Sequence, residues 1–162
     1  MKKTIAIIAA VLLSVSAFAQ KAGDLYRRYS DEKGVSAVYI SPAMFRLIGR
    51  IPNLEIGEGD VNLAPLIKSL NGMYLLSCED PDVAEKIKKD VNKHIQRGTY
   101  ELLMEAKDGG DVTRMYTVGD AKTIKSFVFM ALEPKETTFI SFEGEIPREQ
   151  LENAIAKAAG DN

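Results

Sequence analysis

The sequence predicts a single α+β domain, with helices packed on one face of a mainly antiparallel sheet. Two observations support this class. Apolar residues recur at the spacing of one helix side over residues 81–97, whereas from Thr99 to about residue 142 apolar and polar residues alternate with a period of two. The strands of this second region are joined by links too short for crossovers, so we expect a C-terminal four-strand antiparallel meander.

The first elements are a short amphipathic segment over residues 24–29 and a strand over 35–40, which is rich in β-branched and aromatic residues. Ser41 and Pro42 then favour a helix start, because the serine oxygen can accept an unpaired backbone N–H and proline has none to lose. The helix is predicted over residues 42–50. Its expected buried stripe consists of Met44, Phe45, Leu47 and Ile48.

A loop over residues 52–60 separates this helix from a shorter one, which Asn62 would cap. The shorter helix is expected to run through Leu70 and to stop at the following Asn-Gly pair. The continuous apolar run that follows predicts a second strand over residues 73–78, of the kind that is covered on both faces.

The clearest helix is predicted over residues 81–97. Asp80 is its expected cap, Pro81 its first residue and Gly98 its terminator. The residues that recur every four positions along one side are Val83, Ile87, Val91 and Ile95.

The meander is predicted to contain strands over residues 100–107, 112–118, 124–132 and 137–142, the third of them central because it is apolar on both faces. A final helix is expected over residues 147–158. No repeat or linker divides the chain, so residues 20–162 are expected to form one domain.

The first residues have the pattern of a secretory signal peptide. Lys2 and Lys3 precede an apolar stretch over residues 5–15, and Ala-Phe-Ala ends at position 19, just before Gln20. The stretch is shorter than the roughly twenty residues that a bilayer-spanning helix needs, so residues 1–19 are predicted to be removed and no transmembrane span is expected afterwards. The predicted location is therefore periplasmic or secreted.

Charge and cysteine content narrow the possible partners. The formal net charge is −2 and basic residues are scattered, which argues against a nucleic-acid partner. The only cysteine, Cys78, cannot form an internal disulfide, and its place at the end of an apolar run favours burial.

No catalytic or cofactor motif is present. His94 is the only histidine, no serine has the G-x-S-x-G context, and no glycine-rich loop continues into a phosphate-binding sequence. Metal binding is not predicted either, because the acidic loop residues do not match a calcium-loop template; they are Glu55, Glu58 and Asp60. The alternative that stays open is a small hydrolase or thiol enzyme that pairs Cys78 with His94.

Aromatic residues supply the candidate binding sites. Tyr26 and Tyr29, beside two arginines, form one possible N-terminal patch. Phe127 and Phe129 would form another if the sheet face without helices is exposed. We therefore predict a non-enzymatic binding or interaction protein of the cell envelope, with another envelope protein or an apolar ligand as its partner.

Four segments resemble a known family. They are a leader that ends Ala-Phe-Ala-Gln, the strand-helix join Val-Tyr-Ile-Ser-Pro-Ala-Met-Phe at 38–45, Leu-Leu-Ser-Cys-Glu-Asp at 75–80, and the strand Phe-Val-Phe-Met-Ala-Leu-Glu at 127–133, which lies ahead of an expected Gly-Glu-Ile turn at 144–146. Together they resemble the bacterial envelope family called domain of unknown function 4252. The resemblance covers nearly the whole chain after the leader and implies a small exported protein. Many members of that family are lipoproteins, and this chain departs from them because it has no cysteine at the end of its leader.

Overall fold

The computed structural model describes residues 22–50 and 64–160. The helices in these ranges are α1 (residues 22–29), α2 (Pro42–Gly49), α3 (Ala64–Lys68), α4 (Pro81–Arg97) and α5 (Arg148–Gly160). The strands are β1 (Val35–Ile40), β2 (Leu70–Cys78), β3 (Glu101–Asp108), β4 (Asp111–Gly119), β5 (Thr123–Leu132) and β6 (Thr137–Pro147). The predicted leader, the loop at 52–60 and Asn62 lie outside the described residues.

The six strands form one sheet in the order β1-β2-β6-β5-β4-β3, and every neighbouring pair is antiparallel. This arrangement confirms the α+β prediction and the meander from β3 to β6. The meander ends when β6 pairs with β2, which leaves β1 and β3 as the two edges of the sheet. Within the described ranges, no helix is long and apolar enough to cross a bilayer.

The hydrophobic core lies between one face of the sheet and helices α1 and α4. Leu76, Phe139 and Met130 stand side by side on β2, β6 and β5 and are fully buried. Ile87 and Val91 of α4 pack into the same cluster. The residues that α1 contributes are Ala22, Leu25 and Tyr29. We call this side of the sheet the core face and the opposite side the second face.

Helix α4 has the bounds that the sequence predicts. The Asp80 carboxylate accepts hydrogen bonds from the backbone N–H groups of Asp82 and Val83, at 3.0 and 3.1 Å. At the other end, the Gly98 N–H donates to the carbonyl oxygens of His94 and Ile95. Both ends are therefore fixed by local groups, which is why local sequence is enough to locate them.

Strands β2 and β6 are longer than predicted. β2 begins at Leu70, so that Asn71 and Gly72 lie inside a strand and do not end a helix. β6 continues to Pro147, and the Gly-Glu-Ile segment expected to turn is paired with β2 and β5. The cause is a close approach of two chain segments: a Cβ atom at Gly144 would lie 2.4 Å from the Ser69 carbonyl oxygen. Glycine at position 144 allows the two backbones to approach closely, and it does not form a turn.

Helix α2 starts as predicted, with Ser41 as its N-cap. Of the four residues expected to form its buried stripe, however, two are exposed. Phe45 is buried, whereas Met44 and Leu47 are 50% and 61% exposed. Residues three apart share one side of a helix, so Phe45 and Ile48 point in one direction while Met44 and Leu47 point in another. A helix of two turns that packs beside β2 and α3 buries only the first of these sides.

Candidate functional site

An apolar row of side chains crosses all six strands on the second face. The strand registers place its members next to one another, one from each strand. The row consists of Val38, Leu75, Ile140, Phe129, Met115 and Met104. None of the six is buried: Val38 and Met104 at the two ends are 45% and 41% exposed, and the four between them are half-buried.

A second line of large side chains runs beside the apolar row. Met73, Phe142 and Phe127 are neighbours on β2, β6 and β5, and the rings of Phe127 and Phe142 have centroids 6.1 Å apart. Thr117 on β4 continues the line and is fully buried, and its hydroxyl has no hydrogen-bond partner among the described residues. Across β2, β6 and β5 the second face is thus apolar in two adjacent lines.

The two phenylalanines proposed from sequence lie together at the centre of this face. Phe127 and Phe129 are half-buried, and they alternate along β5 with Ser126, Val128 and Met130, which face the core and are buried. The period-two pattern of a strand places the two phenylalanines on the same side. Their role in binding stays a prediction.

The two tyrosines proposed from sequence do not share a surface. Tyr26 joins Tyr39 and Tyr74 in a cluster at the β1 edge of the core face, with Tyr39 and Tyr74 stacked at 5.0 Å between ring centroids. Tyr29 is buried between α1 and α4, where its hydroxyl donates a hydrogen bond of 2.8 Å to Asp90. Burial, together with this bond, raises the pKa of Tyr29 to about 12.

Asp90 on α4 links this helix to α1 through hydrogen bonds. Its carboxylate accepts hydrogen bonds from Tyr29 and Arg28, and the Lys93 ammonium lies 3.8 Å away. Burial opposes ionisation, but the hydrogen bonds from Tyr29 and Arg28 and the nearby positive charges outweigh it, so the pKa of Asp90 is lowered. These groups border a cleft of about 270 Å³ between the two helices, lined by Asp24, Leu25, Arg28, Asp90, Lys93, His94 and Arg97. Its charges are mixed and partly paired, which is typical of a structural contact.

Cys78 and His94 are not brought together. The Cys78 thiol is fully buried and donates to the Asp80 carbonyl oxygen at 3.5 Å, and burial raises its pKa, so the unreactive thiol form is favoured. His94 is at the opposite end of α4, where its Nε2 is 2.8 Å from the Tyr100 hydroxyl oxygen. Because a helix rises about 1.5 Å per residue, the stretch from Asp80 to His94 separates the two groups by about 20 Å. A thiol–imidazole pair is therefore not formed.

One buried acid was missed from the sequence. Glu143 on β6 is 5% exposed, and its Oε1 accepts hydrogen bonds from the hydroxyls of Ser126, at 3.1 Å, and Ser141, at 2.5 Å. Burial raises the pKa of Glu143 to about 7, although the two serine hydrogen bonds act in the opposite direction. The sequence does contain a signal for this burial, because Phe139, Ser141 and Glu143 alternate along one face of a strand. That signal applies to Glu143 only if the strand continues beyond residue 142, where the predicted strand ends.

Metal ligands do not cluster in the described part of the chain: no group of three or more His, Cys, Asp or Glu side chains there could hold an ion. The acidic residues Glu55, Glu58 and Asp60 lie outside the described ranges.

Comparison with known proteins gives a family but no function. No curated protein matches the chain. Among solved structures, the chain is similar to cyanobacterial PsbP (CyanoP) from Synechocystis sp. PCC 6803, at 14% identity and a TM-score of 0.29, over 75% of this chain and 86% of that one. This similarity is too weak to support an argument. The family model described as domain of unknown function DUF4252 matches residues 29–154, which is most of the sequence. The protein therefore belongs to the DUF4252 family, as the resemblance of its segments implies.

Proposed function

We propose that this protein is an exported, non-enzymatic binding protein that holds another protein of the cell envelope on the second face of its sheet. The observation that carries the proposal is the apolar row, which spans all six strands without one buried member. Soluble proteins rarely expose a contiguous apolar patch of this kind unless it serves an interaction.

The shape and composition of the second face favour a protein partner over a small ligand. Strands lie about 4.8 Å apart, so a row across six strands is about 24 Å wide. Small molecules bind in concave pockets, whereas a broad sheet face suits a second macromolecular surface. Its side chains also include Phe127, Phe129, Met104 and Met115, which belong to the residue types enriched at protein interfaces.

Export is supported by the leader pattern at residues 1–19. The rest of the domain is compatible with an oxidising compartment, because its only thiol, Cys78, is buried and does not serve as a crosslink.

Binding is favoured over catalysis by the state of the titratable groups. Glu143 and Asp90 are both held by hydrogen bonds to neighbouring hydroxyls, which is a structural arrangement. The thiol-enzyme alternative has no support from the positions of Cys78 and His94.

The test is affinity capture of a partner from an envelope extract of the source cell. Phe129→Gln and Met115→Gln each place a polar amide in the apolar row, and Leu47→Gln changes a more exposed apolar residue on α2 as the matched control. We expect a partner that the wild-type protein and Leu47→Gln retain equally and that both row variants retain at least tenfold less, at unchanged melting temperature. Equal capture by all four proteins, or no protein captured by any, would refute the proposal; a bound apolar small molecule found instead by native mass spectrometry would replace the partner it names.

A further inference from the structure

The two edges of the sheet are protected differently against pairing with another strand. β3 has a bulge between Leu102 and Met104 that breaks its alternation. β3 also carries four charged residues, Glu101, Glu105, Lys107 and Asp108. Bulges and charges of this kind are the usual means by which natural sheets prevent pairing at an edge.

β1 has none of these protections. Its sequence, Val-Ser-Ala-Val-Tyr-Ile, contains no charge, proline or glycine, and all six residues pair with β2 in unbroken register. Val38 on the second face and Tyr39 on the core face are 45% and 46% exposed. An edge strand offers a row of backbone donors and acceptors, so an unguarded and apolar edge is suited to receive another strand.

We propose that β1 of a second copy of this chain adds to this edge, antiparallel and about a two-fold axis at Val38. The two sheets then form one continuous sheet in which each copy contributes its six strands. A two-fold pairing of identical strands makes the contact closed and limits the assembly to a dimer.

The pairing is self-complementary in side-chain size. With the axis at Val38, this residue lies opposite Val38 of the partner subunit on the second face. Ala37 lies opposite the partner subunit's Tyr39, so a small side chain faces a large one on the core face. No like charges meet, because β1 carries no charge, and the apolar rows of the two copies join end to end.

The flanking segments are complementary in charge. The same register places the turn before β1, which contains exposed Asp31 and Glu32, beside the first turn of the partner's α2. That turn has no acidic residue, and the N-terminus of a helix carries a partial positive charge that favours nearby carboxylates. α2 packs beside β2 within its own copy, and no strand among the described residues pairs with the outer side of β1.

Sedimentation of the purified mature protein, without the predicted leader, tests the proposal in the absence of any other protein. Val38→Lys places a charge at the axis, and Leu102→Lys is the matched control, because Leu102 is 51% exposed on the opposite edge. We expect the wild-type protein and Leu102→Lys to be dimers, and Val38→Lys to dissociate with a dissociation constant at least tenfold higher. A wild-type protein that stays monomeric at all accessible concentrations overturns the proposal, and so does a dimer that Leu102→Lys disrupts and Val38→Lys does not.

Oxidative crosslinking tests the register and does not depend on whether Val38→Lys folds. Residues directly opposite each other on antiparallel strands have Cα atoms about 4.5–5.5 Å apart, within the range of a disulfide. Val38→Cys is expected to give a disulfide-linked dimer, whereas Ser36→Cys, on the same face but away from the axis, is not. Buried Cys78 is not available to compete. Crosslinking through Ser36→Cys and not through Val38→Cys would contradict the register, and the absence of any dimer in both variants would contradict the interface.

Discussion

Among single residues, Glu143 has the clearest energetic consequence. A buried carboxyl group costs free energy when it is charged, and here two serine hydroxyls compensate only part of that cost. The pKa of Glu143 is therefore raised to about 7 from an ordinary value of 4.5. The folded state binds more protons than the unfolded state between these two values.

The pH dependence of stability follows with a definite sign. As far as Glu143 is concerned, stability is highest below the unfolded pKa and falls as pH rises toward the folded pKa of about 7. Each pKa unit is worth about 1.4 kcal/mol, so the loss reaches about 3 kcal/mol at most. Glu143→Gln should remove this decline and leave the protein more stable than wild type at about pH 8, as measured by urea unfolding at several pH values.

The matched control for this variant is Glu145→Gln. Glu145 is on the same strand, but its side chain is 75% exposed in an ion pair with Lys125, so its neutral analogue should keep the wild-type pH profile. If Glu143→Gln and wild type lose stability in parallel between about pH 5 and about pH 8, the burial of an acid with a raised pKa is not the cause.

At the scale of elements, the ends of β2 and β6 depend on the contact between Gly144 and Ser69. Gly144→Ala would place a methyl group 2.4 Å from the Ser69 carbonyl oxygen, and relieving that overlap requires the two backbones to separate. We expect a loss of about 1–3 kcal/mol in the free energy of unfolding, measured by urea denaturation. Gly49→Ala is the control, because nothing lies within 4 Å of its Cβ position and alanine favours a helix by up to about 1 kcal/mol over glycine. Equal stability of the two variants would mean that the contact at Gly144 does not hold these strand ends.

The predicted and observed bounds of the helices and strands differ in a way that shows which elements the sequence can predict. α4 is predictable because Asp80 and Gly98 fix its ends through local hydrogen bonds. The meander is predictable because alternation and short links are also local. The start of β2 and the end of β6 are not, because Gly72 and Gly144 have the local pattern of a turn and are held in strands by pairing with distant segments.

The residues of the candidate site likewise fall into those that local sequence places correctly and those whose positions depend on distant contacts. Strand periodicity is sufficient to place Phe127 and Phe129 on one side of β5. It is not sufficient to separate Tyr26 from Tyr29, because their directions depend on Tyr39 and Asp90, which are distant in sequence. Glu143 was missed for a related reason, since its burial depends on a strand end that only the tertiary structure reveals.

For the whole molecule, the central feature is the difference between the two faces of one sheet. The core face is covered by α1 and α4, while the second face presents the apolar row. Pairing through β1 would double the length of that row, so a dimer would present one continuous apolar surface. The dimer and the docking role are separate claims, because the first concerns the purified protein alone and the second requires a partner.

The most direct test of the docking role is site-specific photo-crosslinking in intact cells. A benzophenone analogue of phenylalanine at position 129 preserves the aromatic character of the side chain on the second face, and the same analogue in place of Tyr26 probes the β1 edge of the core face. We predict that the probe at Phe129 crosslinks to a discrete envelope protein and that the probe at Tyr26 does not. No crosslinked protein from Phe129, or the same crosslinked protein from both positions, would contradict the assignment of the second face as the docking surface.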